Sequence, residues 1–395
     1  MKILILKPSS LGDVVQAIPL LRLLKQHVPA SQIYWWVQST LAPLLEGDPD
    51  LAGVLRFERN GWSTLQRWRE LWRSLLWIRE QRFDWVIDLQ GLARSGAVAW
   101  LANGKLTVGL DEPREGARGF YDRMAPRPSF HTHAVDWYLE VLPLLGLPRA
   151  TLSAPGLRGV GGPNAPRWSS ALKPEQDFVW LPSRPEVASG LRRKWPVDAT
   201  KWVLLQPGAR WPNKRWPAEH FVGVIRCLSE THPELHFAIL GAQEDRLLGQ
   251  MIAAADSKRC LDLTGQLSLW ELVEWIRLSE VMVTNDTGPM HIAAALNKSL
   301  VALFGPTEPR RTGPYGQLDH VLQLSLPCEP CLRPRCVYYQ PLECLRAILP
   351  ATVADAVLRG LAERPKAPNT KLPAPENLQK PNTQSKLQAP NSNPR

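Results

Sequence analysis

The chain has 395 residues, a formal net charge of +10 and 44% hydrophobic residues. That length and composition allow two hydrophobic cores and predict a large folded protein. No apolar run is long enough to span a bilayer, and the first one, residues 3–6, is too short for the core of a signal peptide. The 6 cysteines do not suggest a secreted disulfide scaffold in a chain of this length. We therefore expect a cytoplasmic protein.

Strand and helix patterns alternate along residues 1–150, which predicts a first α/β domain. Helical patterns cover residues 14–24 and 134–145. Apolar runs predict strands at 2–6, 32–37, 54–57 and 85–89.

Residues 62–83 form an unusual segment of this domain, because tryptophans and leucines recur at helical spacing while arginines line the other sides. A basic, tryptophan-rich helix can lie on an anionic membrane surface or hold an anionic lipid. A helix that packs an aromatic face on its own sheet has the same pattern. We expect the tryptophans to pack and some of the arginines to contact an anionic lipid acceptor.

Residues 148–175 are rich in Pro, Gly and Ser and show no period, which predicts a linker. A second α/β domain is predicted over 176–362, with a cleft between the two domains. Its helical patterns cover 218–230, 244–255, 269–278 and 351–362, and its strands 202–205, 236–240, 281–284 and 300–304.

Residues 363–395 are predicted to be a disordered basic tail. From Pro365 onward the segment has five basic residues against Glu376, hence a charge of +4, with seven prolines and no aromatic residue. Such a composition cannot bury enough apolar surface to fold. We interpret the tail as a solubilising extension. Contact with anionic lipid is the alternative, and we expect no nucleic-acid partner.

The loop that follows the first strand, residues 7–13, carries a carboxylate, Asp13. Its single glycine, Gly12, makes it neither a Walker loop nor a dinucleotide-binding turn. Open α/β folds place their ligands at this edge of the sheet, so Asp13 is a candidate site residue. Alternatively, Asp13 is only an acidic residue in the first turn of a helix, stabilised by the helix dipole.

Residues 284–291, Thr-Asn-Asp-Thr-Gly-Pro-Met-His, form a second strand-to-helix loop. The free N–H groups and positive end of such a helix suit a phosphate. Asp286 or Thr287 can cap the helix, Gly288 lets a ligand approach the backbone, and His291 lies one turn in, facing the same site. An ordinary capped turn would have the same sequence features.

The two loops, in this order, resemble those of glycosyltransferase family 9, the heptosyltransferases. Residues 84–92 with Arg94 and Ser95, residues 206–209 followed by 214–217, and residues 303–307 also resemble segments of that family. The likeness extends from residue 1 to about residue 361. It implies an α/β fold of GT-B architecture, in which two Rossmann-like domains face each other across a cleft, with the acceptor on the first domain and the nucleotide-sugar donor on the second.

The resemblance also implies an inverting transfer of heptose from an ADP-activated donor to a lipopolysaccharide inner-core sugar, by a monomer that needs no metal and no cofactor. Asp13 would be the general base, and Lys214 would stabilise charge on the departing diphosphate. The implied donor-binding residues are Gly12, Glu244, Asp286, Thr287, Gly288 and His291, with Glu244 on the ribose hydroxyls. The implied acceptor-binding residues are Ser10, Arg67, Arg94 and Arg114. An anionic glycolipid acceptor would bring peripheral contact with the inner face of the inner membrane.

Several alternatives stay open at this point. The loop Gly208-Ala209-Arg210 and the cysteines look like the enzyme that adds the second heptose, whereas residues 84–95 look like the enzyme that adds the first. The acceptor and the nucleotide sugar are therefore both open. A sugar-nucleotide epimerase of GT-B fold and a non-catalytic nucleotide-sugar-binding protein are the other classes. Asp13 and Lys214 argue against both.

Two further groups of residues raise the question of a metal. Four cysteines, Cys328, Cys331, Cys336 and Cys344, could bind a structural zinc, but the second close pair of a zinc ribbon is missing. Free or redox-labile thiols are the alternative. Asp48 and Asp50 form an Asp-x-Asp sequence, which we interpret as a turn.

Overall fold

The computed structural model describes residues 1–58, 65–111, 114–149, 179–198 and 200–362. Strands and helices alternate along most of the described chain, as the sequence predicts for an α/β protein. The first half contains β1 (Lys2–Leu6), α1 (Leu11–His27), β2 (Gln32–Gln38), α2 (Ala42–Leu45), β3 (Leu51–Phe57), α3 (Leu65–Glu80), β4 (Trp85–Asp88), α4 (Ala93–Ala102), β5 (Leu106–Leu110), β6 (Arg123–Ala125), α5 (Ala134–Leu139) and α6 (Val141–Leu144).

The second half repeats the alternation. It contains α7 (Pro185–Lys194), β7 (Lys201–Gln206), α8 (Ala218–Thr231), β8 (Leu235–Ile239), α9 (Arg246–Ala253), β9 (Cys260–Asp262), α10 (Leu269–Leu278), β10 (Val281–Asn285), α11 (Gly288–Ala295), β11 (Ser299–Leu303), α12 (Pro309–Thr312), β12 (Val321–Leu322), α13 (Glu343–Arg346) and α14 (Pro350–Ala362). Short 3-10 turns lie at Arg114–Phe120, Pro212–Lys214, Gln243–Asp245 and Leu318–His320.

The strands form two parallel sheets of six strands each. The first has the order β3-β2-β1-β4-β5-β6, and the second has the order β12-β11-β10-β7-β8-β9. In each sheet the chain reverses its direction of winding at the two central strands, β1 and β4 in the first and β7 and β10 in the second. Doubly wound sheets bind ligands at this reversal, beyond the carboxyl ends of the strands. The loops after β1, β4, β7 and β10 therefore mark the expected site.

Both faces of the first sheet are covered, which is why its central strands are continuous apolar runs. Ile3 and Ile5 point into the large core that also contains α1 and α5. Leu4 and Leu6 point into a second core on the opposite face, together with side chains of α3 and α4. Since successive strand side chains alternate between faces, β1 is buried on both sides. In the second sheet, a third core lies under α8 and α14.

The predicted strands and helices are all found, with ends shifted by a few residues, but two predicted helices differ in detail. Residues 134–145 are wrong as a single helix: α5 ends at Leu139 and α6 starts at Val141, because Pro143 lacks the N–H that would continue the helix. The helix predicted at 244–255 begins as a 3-10 turn, since the Asp245 carboxylate accepts a hydrogen bond from Ala242 N. Strands β6, β9 and β12, of three, three and two residues, are too short for a sequence period and were not predicted, nor was β5.

The tryptophan-rich segment is helical, as predicted, but its tryptophans do not all pack. Leu75 and Ile78 supply the buried side of α3, whereas Trp72 is 52% exposed and Trp77 is 39% exposed. The expected packing is wrong for Trp72, because its side chain lies outside the core that Leu75 and Ile78 share with the sheet. Trp77 is in part covered by an edge contact with Tyr34, with ring centroids 6.1 Å apart. The side chains of Trp62 and Trp68 lie outside the described residues.

Most of the predicted linker, from residue 150 onward, and the whole tail, 363–395, lie outside the described residues. The boundaries at 150, 176 and 362 therefore stay predictions. Within the part of the chain that the structure describes, no helix combines the length and the apolar character that crossing a membrane requires.

Candidate active site

The loop after β1 and the loop after β10 come together where helix α1 packs against helix α11. Two glycines allow this close approach. A Cβ on Gly12 would lie 2.3 Å from His291 Cδ2, and a Cβ on Gly288 would lie 2.8 Å from Leu11 Cδ2. The two loops that the sequence singled out thus form one site, built from both sheets.

Asp13 lies in the first turn of α1 and uses its two oxygens differently. Oδ2 accepts hydrogen bonds from Ser10 N at 2.9 Å and from Ser10 Oγ at 2.7 Å. Oδ1 lies 3.4 Å from the Tyr138 hydroxyl and 3.8 Å from Lys7 Nζ. The side chain is 39% exposed. Asp13 therefore is a helix-capping residue, as the simpler interpretation holds, and it also keeps one oxygen available to a proton donor.

Lys7 is the cation that faces Asp13 from within the protein. Its ammonium is buried, donates to Leu89 O at 2.8 Å and lies 4.9 Å from the centre of the Tyr138 ring. Burial lowers the pKa of Lys7, but the nearby Tyr138 and Asp13 side chains raise it by more. The net pKa is raised above its ordinary value, so Lys7 stays charged. Because Leu89 follows β4, this hydrogen bond also joins the ends of the two central strands.

The pKa of Asp13 is lowered from its ordinary value. Burial raises that pKa, but the Lys7 ammonium and the two hydrogen bonds from Ser10 outweigh burial. Burial also raises the pKa of the Tyr138 hydroxyl to about 12, so this group remains a donor at neutral pH. Asp13 is therefore an ionised carboxylate held between fixed donors.

His291 is the buried residue that α11 places against α1. Its pKa is lowered mainly because burial disfavours the charged ring, and the ring is therefore neutral at pH 7. The Gln16 amide nitrogen lies 3.2 Å from His291 Nδ1. With the amide in this orientation, the Gln16 nitrogen donates and Nδ1 accepts, which assigns the ring proton to Nε2.

Lys214 and Asp286 face each other from the loops after β7 and β10. Lys214 Nζ lies 2.6 Å from Asp286 Oδ2, which also accepts a hydrogen bond from Thr307 Oγ1 at 2.6 Å. The Asp286 side chain is 7% exposed and that of Lys214 is 19% exposed. Lys214 Nζ also lies 5.0 Å from the centre of the Trp211 ring. The lysine is thus held by one carboxylate and one aromatic ring.

Asn285 fixes the relative position of these two loops. Its side-chain amide donates to Pro207 O at 2.8 Å, and its carbonyl oxygen accepts from Trp216 N at 3.1 Å. Asn285 is fully buried, so both bonds are protected from water. This arrangement keeps the short segment that carries Lys214 beside Asp286.

The remaining predicted residues lie around this centre. Thr287 is the N-cap of α11, and its side chain makes no capping hydrogen bond. Glu244 is exposed in the 3-10 turn after β8, and Arg94 is exposed in the first turn of α4, after β4. Both follow carboxyl ends of strands. The side chains of Arg67 and Arg114 lie outside the described residues.

The Asp-x-Asp sequence is a turn, as predicted, and its carboxylates bind an arginine. Arg22 Nη2 lies 2.5 Å from Asp48 Oδ2, and Arg22 Nη1 lies 2.7 Å from Asp50 Oδ2. The four clustered cysteines, all within the described residues, are free thiols. Among described residues, no three or more His, Cys, Asp or Glu side chains are grouped as a metal site. The zinc interpretation of the cysteines thus finds no support in their geometry.

The sequence matches a known family over most of its length. The family model for glycosyltransferase family 9 (heptosyltransferase) matches residues 68–340. The chain is also 30% identical over 361 residues to lipopolysaccharide heptosyltransferase 1 of Pseudomonas aeruginosa, covering 87% of this chain and 89% of that protein. The chain belongs to glycosyltransferase family 9. The family predicted from the loops, and with it a glycosyltransferase, is confirmed.

Other family 9 proteins are similar in sequence and fold. Lipopolysaccharide heptosyltransferase 2 of Escherichia coli is 26% identical over 336 residues, with 82% of this family 9 chain and 88% of that protein covered. The structure of E. coli ADP-heptose lps heptosyltransferase II matches with a TM-score of 0.69 at 23% identity, covering 92% of this chain and 99% of that one. A family 9 glycosyltransferase from Veillonella parvula matches with a TM-score of 0.71 at 22% identity, covering 92% and 97%. The predicted GT-B fold is confirmed.

Sequence reasoning missed several residues of this family 9 site that support the predicted ones. They are Lys7, Gln16, Tyr138, Asn285 and Thr307. Asn285 lies within the second motif, and Lys7 and Thr307 lie in segments that were already noted, so a strand-end position signalled them. Gln16 and Tyr138 are single polar residues on apolar helices, and no sequence pattern marks their contacts.

Proposed function

We propose that this protein transfers a heptose, with inversion, from an ADP-activated donor to an inner-core sugar of lipopolysaccharide. The observation that supports the proposal is the position of Asp13, which lies 3.8 Å from the buried Lys7 ammonium at the point where the loop after β1 meets helix α11. The names of the relatives, lipopolysaccharide heptosyltransferases 1 and 2, support heptose as the sugar and lipopolysaccharide as the acceptor.

Asp13 acts as the general base in this proposal. Oδ1 accepts the proton of the acceptor hydroxyl as its oxygen forms a bond to the anomeric carbon. The bond from that carbon to the diphosphate breaks on the opposite side, and ADP leaves with the electron pair. Lys7 keeps the carboxylate ionised, and Ser10, which the family resemblance implies is an acceptor-binding residue, also fixes Oδ2 through two hydrogen bonds.

Lys214 and the start of α11 act on the donor. The Lys214 ammonium and the positive end of α11, where Gly288 offers its backbone N–H, stabilise the charge that builds on the diphosphate. Asp286 holds Lys214 and offers its remaining oxygen to a sugar hydroxyl. Neutral His291 and Thr287 contribute hydrogen bonds to the donor.

At the rim of the site, we assign Glu244 to the ribose hydroxyls and Arg94, with Arg67 and Arg114, to the anionic acceptor. The charge of these arginines matches the phosphate and carboxylate groups of a glycolipid. We further propose that the enzyme works as a monomer on the cytoplasmic face of the inner membrane, where such a glycolipid is reached.

The acceptor position is decided by assay, because identity does not separate the two candidates. The chain is 30% identical to a heptosyltransferase 1 and 28% identical to heptosyltransferase 2 of Haemophilus ducreyi. The purified protein is incubated with ADP-heptose and with core acceptors that carry either no heptose or one heptose. We expect that only one of these two acceptors supports ADP release, and that the product is heavier than that acceptor by one heptose.

Asp13→Asn is the matched test of the mechanism. It should abolish transfer and leave ADP-heptose affinity nearly unchanged, because the amide keeps the shape of the carboxylate but cannot accept a proton. Asp198→Asn, which removes an exposed carboxylate, serves as the control and should keep full activity. Conversion of the donor without acceptor would indicate an epimerase. Tight binding without turnover, or an Asp13→Asn variant within a few-fold of wild type, would also refute the proposal.

A further inference from the structure

Helices α3 and α4 lie side by side on one face of the first sheet. Leu75 and Ile78 of α3 and Val98, Ala99 and Ala102 of α4 share a single core with the sheet. Arg79 Nη1 of α3 also donates to Leu101 O of α4 at 3.4 Å. Because both helices cover the same sheet face, their outer sides form one continuous surface.

The outer sides of these two helices carry large apolar side chains. Trp72 and Leu76 are 52% and 55% exposed, and they are neighbours on α3 because they are four residues apart. Trp100 of α4 is 62% exposed and lies next to Leu101, the residue that Arg79 contacts. Trp77 adds a further partly exposed ring. We call these four residues, with the arginines described next, the tryptophan–arginine face.

The charges around these rings are mostly positive. Arg69, Arg73 and Arg79 are exposed on the same helix, against exposed Glu80. Arg69 precedes Trp72 by three residues and Arg73 precedes Leu76 by three, so each arginine lies beside one of the exposed apolar side chains. Tryptophan and arginine side by side are typical of segments that lie at the boundary between lipid headgroups and acyl chains.

We propose that the tryptophan–arginine face docks on the surface of an anionic lipid bilayer, with its rings in the headgroup boundary and its arginines on lipid phosphates. The inference deepens the proposed function and rests on it for one point, the reason why the protein contacts a bilayer, since a lipid-linked acceptor is presented there. Its own support is the exposure of the rings and the excess of arginine. An acidic lipid surface complements both features.

Vesicle sedimentation of the full-length protein tests the proposal. Wild type should bind phosphatidylglycerol vesicles, bind phosphatidylcholine vesicles far less, and lose binding at high salt. The double variant Trp72→Ser/Trp100→Ser should bind phosphatidylglycerol vesicles about ten-fold more weakly. The matched control is Leu247→Ser/Met251→Ser, because these α9 residues are 83% and 51% exposed and lie on the second domain. This control should bind as wild type does, and all variants keep the basic tail.

Two measurements made in parallel separate the possible causes. Thermal unfolding shows whether Trp72→Ser/Trp100→Ser is folded. If it is not, Arg69→Gln/Arg73→Gln serves as the test, because it leaves the rings intact and should reduce the preference for phosphatidylglycerol. Turnover on a soluble, delipidated core acceptor should be unchanged in every variant. Normal vesicle binding by both double variants would overturn the inference. The inference would also be overturned if sedimentation velocity showed that the wild-type protein self-associates, and if Trp72→Ser/Trp100→Ser abolished this association but left vesicle binding intact. The proposed function and the docking inference can also fail separately. If the wild-type protein shows no transfer, while Trp72→Ser/Trp100→Ser still weakens vesicle binding, the proposed function fails and the inference about the tryptophan–arginine face stands.

Discussion

Replacing Lys7 by Met should move the acidic limb of the pH–activity profile to higher pH. Lys7 Nζ lies 3.8 Å from Asp13 Oδ1, a separation at which two unit charges attract by about 1 kcal/mol in bulk water and about 4 kcal/mol at an effective dielectric constant of about 20. Because the Asp13 side chain is 39% exposed, solvent screening favours the lower part of this range. A loss of about 1–2 kcal/mol corresponds to a rise of about one unit in the pKa of Asp13.

The sign follows from the proposed role of Asp13 as a base. Its pKa is held below the ordinary value, and activity is lost as the pH falls through that pKa. Without Lys7 the pKa rises, so the loss begins at higher pH. The assay is kcat/KM for ADP release over a pH series, at a temperature well below the unfolding midpoint, because the variant also leaves Leu89 O without its donor. Lys105→Met, which removes a 79% exposed lysine, is the matched control.

Two results would refute this reasoning. One is an acidic limb at the same pH in Lys7→Met and wild type, with kcat lowered uniformly, which would make Lys7 a structural residue only. The other is an equal shift in Lys105→Met, which would show an effect of net charge. Tyr138→Phe keeps the ammonium and removes the hydroxyl 3.4 Å from Asp13 Oδ1, so it should shift the limb less.

Three further outcomes are expected. Gly12→Ala should lower stability by about 1–3 kcal/mol and reduce activity, since its Cβ would meet the His291 ring at 2.3 Å. Gly190→Ala, whose Cβ meets only an arginine tip at 3.9 Å, should be neutral or stabilising by up to about 1 kcal/mol, and equal unfolding midpoints for the two variants would contradict the packing argument. Activity should persist in EDTA because the proposed mechanism stabilises the diphosphate through Lys214 and α11, and a complete loss restored by Mg²⁺ would contradict this. Deleting residues 365–395 should leave the unfolding midpoint and turnover on soluble acceptor unchanged, whereas a large fall in the midpoint would show that the tail packs on the body.

Sequence patterns predicted the parts of this protein that depend on local chemistry. The strand ends before Asp13 and before residues 284–291 follow from apolar runs, and parallel sheets place such ends at one edge. The contact between these loops depends on the packing of α1 on α11. In the sequence, the only sign of this packing is that residues 12 and 288 are glycines. A sequence shows a glycine but not what approaches it.

The outward position of Trp72 could not be predicted for a related reason. Trp72, Leu75, Leu76 and Ile78 are all apolar, and the pattern alone does not say which side of the helix faces the sheet. The structure buries Leu75 and Ile78, which are three residues apart and so share one side of α3, and leaves Trp72 and Leu76 exposed. For the same reason, the sequence does not predict that the Tyr138 hydroxyl of α5 faces Asp13.

The pairing of Lys214 with Asp286 has a consequence for the departure of ADP. Before a donor binds, the ammonium already has a carboxylate at 2.6 Å, and the same carboxylate is bonded to Thr307. When ADP leaves in the proposed reaction, the cation therefore keeps a counter-ion and does not remain as an isolated, largely buried charge, which would cost several kcal/mol. The pair is electrically neutral before the donor binds, and the diphosphate meets a cation whose charge is shared with Asp286, so the attraction that assists bond breaking need not trap the product.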